Sequence, residues 1–149
     1  MLNFLGNIEA KLDNKGRVAI PAQFRKILQT EGVESLVLKK DIFQNCLILY
    51  PTSVWDENVA ELRSRLNKWN ARHQEVLRNF MLDAERVVVD ASGRILIPGR
   101  YLQLTGITSD IRFLGIDNVI EIWPKSLLEK PLMTPEEFSQ EIQHLMSEE

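Results

Sequence analysis

The stretch LDNKGRVAIPAQFR, residues 12–25, recurs as VDASGRILIPGRYL, residues 89–102. At a constant offset of 77 the two share Asp13/Asp90, Gly16/Gly93, Arg17/Arg94, Ile20/Ile97 and Pro21/Pro98, while Val18/Ile95 and Phe24/Tyr101 match in kind. A second pair of blocks lies downstream, LILYPTSVW at 47–55 and VIEIWPKSLL at 119–128. Their offset is 73, so the second copy is four residues shorter between its matched blocks. Self-similarity at a fixed period decides an architecture before any local signal does. It places one copy at residues 7–54 and another at residues 83–126.

Within each copy the signals are those of β structure. DNKG and DASG are Asp-x-x-Gly tetrads between apolar runs. Asp at the first turn position accepts from the backbone two residues on, and Gly at the fourth supplies positive φ. RVAIP and RILIP then alternate before Pro stops the strand. AQFRKILQ and GRYLQLTG read as one or two helical turns ended by Gly32 and Gly106, and SLVLKK, CLILY, IRFLGI and VIEIW read as strands. A unit of about 45 residues cannot bury a sizeable core alone, so the two copies are expected to interleave into one barrel with pseudo-twofold symmetry.

Between the copies Trp55, Val59, Leu62, Leu66, Trp69, His73, Val76 and Phe80 are spaced 4, 3, 4, 3, 4, 3, 4. This heptad seam with one polar position predicts a single connecting helix over residues 52–81, filling the 55–82 interval and burying its stripe against a partner subunit. Arg63, Arg65, Lys68, Arg72 and Arg78 lie off that stripe. At the C-terminus TPEEFSQEIQHLM predicts a helix within 134–147. Thr134 is its N-cap, Pro135 its first helical residue, Glu137 closes a capping box, and Phe138, Ile142, Leu145 and Met146 form its apolar face.

The composition, 44% hydrophobic and 26% charged, is that of a globular protein. No apolar stretch approaches the roughly 20 residues of a membrane-spanning helix. The N-terminus lacks the basic start of a signal peptide and meets Glu9 early. The lone Cys46 sits in an apolar run and reads as a buried small hydrophobe. These features predict a cytoplasmic protein. The net charge of −3 hides a gradient: residues 1–40 carry seven Lys/Arg against four Asp/Glu, whereas residues 126–149 carry one against six. A local basic patch on an acidic chain is thereby available.

An enzyme needs a nucleophile or a paired acid and base, and the candidates are few. Asp13 and Asp90 have an immediate role as first residues of turns, and His73 lies in the heptad seam. Two distant histidines and one cysteine make no zinc ligand set, and neither Gly-rich phosphate motif is present. The expectation is no catalysis, no metal, no cofactor and no small-molecule substrate. Arg17 and Arg94 read differently, since each follows a turn glycine at the mouth of a hairpin. In copy one Lys11, Lys15 and Arg25 surround it, and in copy two Arg100 follows. Arginine's rigid fork of donors suits phosphate oxygens or the O6/N7 edge of guanine, and a β-ribbon can enter a major groove. Each arginine can equally pair with the Asp four residues back, and the two roles are compatible.

The two Asp-x-x-Gly-Arg repeats, the opening MLNFLGNIEAKLDNKGRVAIPAQFR, the second VDASGRILIPGRYLQLTGI and the two aromatic-Pro-x-Ser segments together resemble the MraZ family over essentially the whole chain. The resemblance implies the AbrB/SpoVT-like swapped-hairpin barrel, similar in turn to the MazE-type antitoxins, and an α+β fold. It implies a DNA-binding transcriptional regulator acting on short direct repeats in the promoter of the division and cell-wall gene cluster that contains its own gene. A nucleoid-associated ring of identical subunits on double-stranded DNA is expected with it. The signature positions carry over as Asp13 with Arg17 and Asp90 with Arg94, shaped by Gly16 and Gly93. Ser92 stands where copy one has Lys15, so copy one is expected to bind phosphate more strongly. The alternative is an antitoxin-like interaction module using the barrel as scaffold; the second complete unit and the capped tail helix count against it.

Overall fold

The first strand of each copy abandons its own copy. In the computed structural model, which describes residues 1–147, β1 (Phe4–Lys11) pairs antiparallel with β7 (Asp110–Asp117) of copy two. Reciprocally, β5 (Glu85–Val88) of copy two pairs antiparallel with β3 (Ser35–Lys40) of copy one. Two further pairings join equivalent strands: β2 (Arg17–Ala19) with β6 (Arg94–Leu96), and β4 (Leu47–Pro51) with β8 (Val119–Pro124). The result is a six-stranded sheet in the order β1-β7-β8-β4-β3-β5 and a separate two-stranded ribbon of β2 and β6. The fold is α+β, two interleaved units in one swapped-hairpin barrel, as the repeat predicts.

The register shows the symmetry directly. Val18 and Ile95 are equivalent in the repeat and stand opposite each other in the ribbon; Ile48 and Glu121, equivalent at the second offset, stand opposite each other in the sheet. The pseudo-twofold axis therefore passes through both pairs. Across the ribbon the Ile20 N–H donates to the Gly93 carbonyl and the Ile97 N–H to the Gly16 carbonyl, each at 2.9 Å. The shortening of copy two begins in the helix after the ribbon. There α1 (Ala22–Thr30) has nine residues and α4 (Gly99–Thr105) seven. Pro21 and Pro98 stand immediately before these helices, where their fixed φ ends one element and admits the other.

Both copies feed one core. Phe4, Val18, Ile20, Phe24, Leu36, Leu38, Leu47 and Leu49 of the first pack with Ile95, Ile97, Tyr101, Ile111, Phe113, Ile120 and Ile122 of the second in one buried cluster. The equivalent residues Phe24 and Tyr101 are both fully buried but are held differently. Phe24 sits edge-on to Phe4, ring centroids 5.6 Å apart. The Tyr101 hydroxyl donates to the main-chain oxygen of Asp83, lies 3.3 Å from that of Leu38, and accepts from Arg100 Nη2 at 3.0 Å. Cys46 is buried, and burial pushes its thiol up to about 12.

The single connecting helix expected between the copies is two helices. Helix α2 (Thr52–Ser64) ends at Arg65, and α3 (Ala71–Leu82) begins after Asn70. Two asparagines cause the break, because their short side chains compete for backbone donors. Asn67 Oδ1 accepts from the Trp69 N–H at 2.9 Å, and Asn70 Oδ1 caps α3 by accepting from the Arg72 and His73 N–H groups. The helices fold back, so that Trp55 and Phe80 from the two ends of the expected stripe stack 5.5 Å apart at 10°. Of the seam, Trp55 is buried, Val59, Leu62, Leu66, His73 and Phe80 are half-buried, and Val76 and Trp69 are exposed. Lys39, itself buried, ties β3 to the end of this hairpin: its Nζ lies 2.6 Å from Asp83 Oδ1 and 4.5 Å from the Phe80 ring centre.

After β8 a 3-10 turn (Lys125–Leu128) leads to α5 (Pro135–Ser147). The Thr134 hydroxyl accepts from the Glu137 N–H at 3.1 Å, and the Glu137 carboxylate accepts from the Thr134 N–H at 3.3 Å, closing the capping box. Helix α5 buries none of its residues. Among the described residues no helix is long and apolar enough to cross a membrane. The contrast between Phe24 and Tyr101 can be measured by urea denaturation. Phe24→Ala should cost about 3–5 kcal/mol through the cavity it leaves. Tyr101→Phe should cost about 1–3 kcal/mol, because it removes the hydroxyl donor from the half-buried Asp83 carbonyl.

Candidate nucleic-acid interface

The two Asp-x-x-Gly-Arg segments fold alike because the same atoms close each turn. The Asp13 N–H donates to the Arg17 carbonyl at 2.9 Å and the Gly16 N–H to the Asp13 carbonyl at 3.1 Å; Asp90, Gly93 and Arg94 repeat this, both bonds at 2.9 Å. Asp13 Oδ1 accepts from the Lys15 and Arg17 N–H groups at 2.9 Å, and Asp90 Oδ1 accepts from Ser92 and Arg94 at 2.8 and 2.9 Å. Gly16 and Gly93 have φ of +84° and +79°, the left-handed region that disfavours side chains. A Cβ on Gly16 would lie 2.9 Å from the Ile97 carbonyl, and one on Gly93 would run into the Arg25 guanidinium.

The second carboxylate oxygen of each Asp takes the arginine. Arg17 Nε donates to Asp13 Oδ2 at 2.8 Å. Arg94 Nε lies 3.3 Å from Asp90 Oδ2, an ion pair whose geometry is too oblique for a hydrogen bond. The Arg17 N–H, foremost, together with the Lys15 N–H and the Arg17 guanidinium, holds the Asp13 carboxyl down at about 2 from an ordinary 3.8. Asp90 is lowered too, chiefly by the Arg94 N–H. A carboxyl lowered by folding adds stability above its unfolded value and loses it as pH falls through the folded one. The Asp13 clamp is therefore complete above about pH 3.8 and dissolves only toward pH 2.

Alternation then sets the outer face of the ribbon. Val18 and Ile95 point inward and are buried, so Arg17, Ala19, Arg94 and Leu96 share the outward face. Arg17 stands opposite Leu96, and Arg94 opposite Ala19. Each arginine side chain is about one-third exposed, at 35% and 36%. Among the described residues no hydrogen bond or ion pair engages the terminal amino groups of either guanidinium, which leaves them available as a fork.

The other candidate cations divide. Lys15 is exposed at the first turn, with no ion pair among the described residues. Arg25 reaches from α1 across the barrel to lie over Gly93, at the second turn. This contact is invisible to the repeat comparison, because the residue equivalent to Arg25 is Leu102. Arg25 thus supplies a cation at the turn where Ser92 replaces lysine, and the arms are closer in charge than their turn residues alone imply. Lys11 pairs with Asp110 at 3.7 Å across β1 and β7. Arg100 is drawn toward the start of β5, with Nη2 3.4 Å from Glu85 and its guanidinium 4.8 Å from the Tyr101 ring centre. The ribbon therefore gathers Arg17, Arg94, Lys15 and Arg25, while Arg100 is held elsewhere. His73, in the first turn of α3, reaches back to the α2–α3 connection, where its Nδ1 accepts from the Asn67 N–H at 2.8 Å. Among the described residues no group of three or more His, Cys, Asp or Glu is placed to hold a metal ion.

Comparison with known proteins supports the repeat. The model of the family described as "MraZ protein, putative antitoxin-like" matches twice, over residues 3–79 and 80–145. The chain is 57% identical over 149 residues to the transcriptional regulator MraZ of Bacteroides fragilis, covering all of this chain and 94% of that one. It is 58% identical to the protein of the same name from Bacteroides thetaiotaomicron, covering all of this chain and 96% of that one. The likeness extends to Flavobacterium psychrophilum at 36% over 132 residues, or 89% and 83% of the two chains. A twofold family match that accounts for both copies, together with relatives alike from end to end, makes this chain a member of the MraZ family.

Proposed function

We propose that the chain is a sequence-specific DNA-binding transcriptional regulator without catalytic activity or cofactor. Its target is a set of short direct repeats in the promoter of the division and cell-wall gene cluster that includes its own gene. The observation that carries this reading is the outer face of the β2–β6 ribbon, where two arginines are clamped through Nε and present free amino pairs. A two-stranded ribbon fits the major groove, and a fork of two donors 'reads' guanine O6/N7 or bridges phosphate oxygens. Lys15 and Arg25 add the sequence-independent term. The names of the relatives, transcriptional regulators throughout, agree with it.

The weak overall charge is compatible with DNA binding if several copies bind together. A homo-oligomer, closed as a ring, would place many ribbons on tandem sites, where high effective concentration multiplies modest single contacts. The protein would then work at the nucleoid.

A mobility-shift series in rising salt, comparing the DNA upstream of this gene with shuffled DNA, tests the reading. Arg17→Ala should cost about 1–3 kcal/mol per engaged subunit and relax sequence preference. Lys15→Ala should weaken all sequences alike and lower the salt slope by about 1. An Arg17→Ala protein that assembles normally and binds the promoter undiminished sinks the assignment. Asp13→Asn separates turn from clamp: the amide oxygen still accepts the two N–H groups but cannot hold the guanidinium by charge. It should lower the melting temperature modestly, as the stabilising carboxylate is lost, while the turn still forms and DNA affinity falls.

A further inference from the structure

The outward face of the ribbon carries one large apolar side chain beside its arginines. Leu96 ends β6 at 52% exposure, while Ile95 before it and Ile97 after it are each 1% exposed. Those two anchors, with the Ile97 N–H donating to the Gly16 carbonyl, fix where the leucine stands. It stands directly across the ribbon from Arg17. Facing residues of an antiparallel pair have Cβ atoms roughly 5 Å apart. The side chain leans toward the first turn, since a Cβ on Gly16 would lie 3.8 Å from Leu96 Cδ1. Leucine, turn and clamped arginine therefore make one continuous surface.

The fold does not require leucine there. Alternation along β6 gives the position to solvent, and the equivalent residue of copy one is Ala19, also exposed. A single exposed leucine on a protein surface is ordinary. One beside a guanidinium, on the face read above as entering a major groove, has a specific use. The floor of that groove presents hydrogen-bond donors and acceptors and one kind of apolar group, the C5-methyl of thymine. Leucine offers no hydrogen bond, so its favourable contact with base edges is with that methyl.

We propose that Leu96 is a specificity-determining residue that packs against the C5-methyl of a thymine near the guanine read by Arg17. The proposal rests on the DNA-reading function inferred above and deepens it. Roughly 5 Å between facing Cβ atoms covers one to two base-pair steps of about 3.4 Å, so the thymine lies within about two base pairs of that guanine. Ala19 stops at its β carbon and reaches less far beside Arg94, so the methyl is read on one side of the ribbon axis. The contact is apolar and involves no phosphate. It adds to sequence preference and leaves the salt dependence alone.

Mobility shifts of the full chain on chemically altered promoter DNA test this. Guanines upstream of this gene are replaced singly by 7-deazaguanine, which lacks the N7 acceptor. The guanine whose replacement weakens wild type but not Arg17→Ala is the one that Arg17 reads. Thymines within about two base pairs of it are then replaced singly by deoxyuridine, which lacks only the methyl. One such replacement should weaken wild type about fourfold, the contribution of one buried methyl group, with the salt slope unchanged. Leu96→Ala should bind the thymine DNA at least about fourfold more weakly than wild type and bind its uracil form equally well. Circular dichroism melts and sedimentation compare its folding and assembly with wild type. An absent uracil effect in wild type overturns the proposal, whatever the variant does. A Leu96→Ala protein that keeps the full uracil effect also overturns it and makes the leucine a packing residue of the first turn. The underlying reading fails separately: an Arg17→Ala protein that responds to every 7-deazaguanine as wild type does removes the base-reading arginine and the leucine with it. A normal Arg17 result without a uracil effect removes the leucine alone.

Discussion

The exchange of first strands between the two copies is the constraint on which the rest depends. Neither copy can complete its own sheet, because β1 has its ladder on β7 and β5 has its ladder on β3. A domain of half this length buries too little apolar surface to fold alone. Here the equivalent apolar positions of both copies fall into one cluster, so the two halves are stable only together. The ribbon is a consequence. Once the first strands have crossed, the segments that follow them meet antiparallel on the axis, and β2 and β6 pair over three residues each. Three residues are too few to stand alone, and the ribbon's shape is enforced by Val18 and Ile95 anchored in the core below it.

That enforcement is what makes the arginine pair useful. An exposed arginine loses rotamer freedom when it binds, and the loss weakens the contact. Asp13 and Asp90 remove part of that freedom beforehand while leaving the terminal amino groups free. The carboxylates can do so because backbone N–H groups already hold their other oxygens in place. Turn, clamp and fork are thus one unit of five consecutive residues made twice, its clamp a hydrogen bond at Arg17 and an ion pair at Arg94.

Much of this was legible in the sequence, and the failures have definite causes. The repeat exposed the interleaving of two copies about a pseudo-twofold axis, on which equivalent residues such as Val18 and Ile95 stand opposite each other. Turn chemistry located both Asp-x-x-Gly turns, although the strands on either side of each turn pair elsewhere and form no hairpin of their own. The connecting segment was misread because heptad spacing describes any helix with one apolar stripe, including two that fold face to face. Trp55 and Phe80 satisfy the same period whether they lie along one helix or stack across a hairpin. The asparagines that decide between these, Asn67 and Asn70, were the overlooked signal. Arg25 over Gly93 was beyond reach for another reason: the contact crosses between copies at a place where the symmetry is broken, and Leu102 conceals it. Lys39 gave no signal either, since only the fold brings Asp83 and Phe80 to it.

The broken symmetry also bears on what such a ribbon can read. A ribbon with perfect twofold symmetry presents the same face in either orientation and matches a palindrome. This one differs across its axis at every outward position except the arginines. Leu96 stands beside Arg17 where Ala19 stands beside Arg94, Lys15 faces solvent where Ser92 does, and Arg25 covers one turn but not the other. The arginines preserve two equivalent contacts while their neighbours give the ribbon a direction. A directional reader can be set repeatedly in the same sense along DNA, which is the arrangement that direct repeats demand and palindromes do not. A head-to-tail assembly of copies would have the same polarity as the ribbon. Duplication followed by divergence within one chain supplies this, because a dimer of identical single units is bound to exact symmetry.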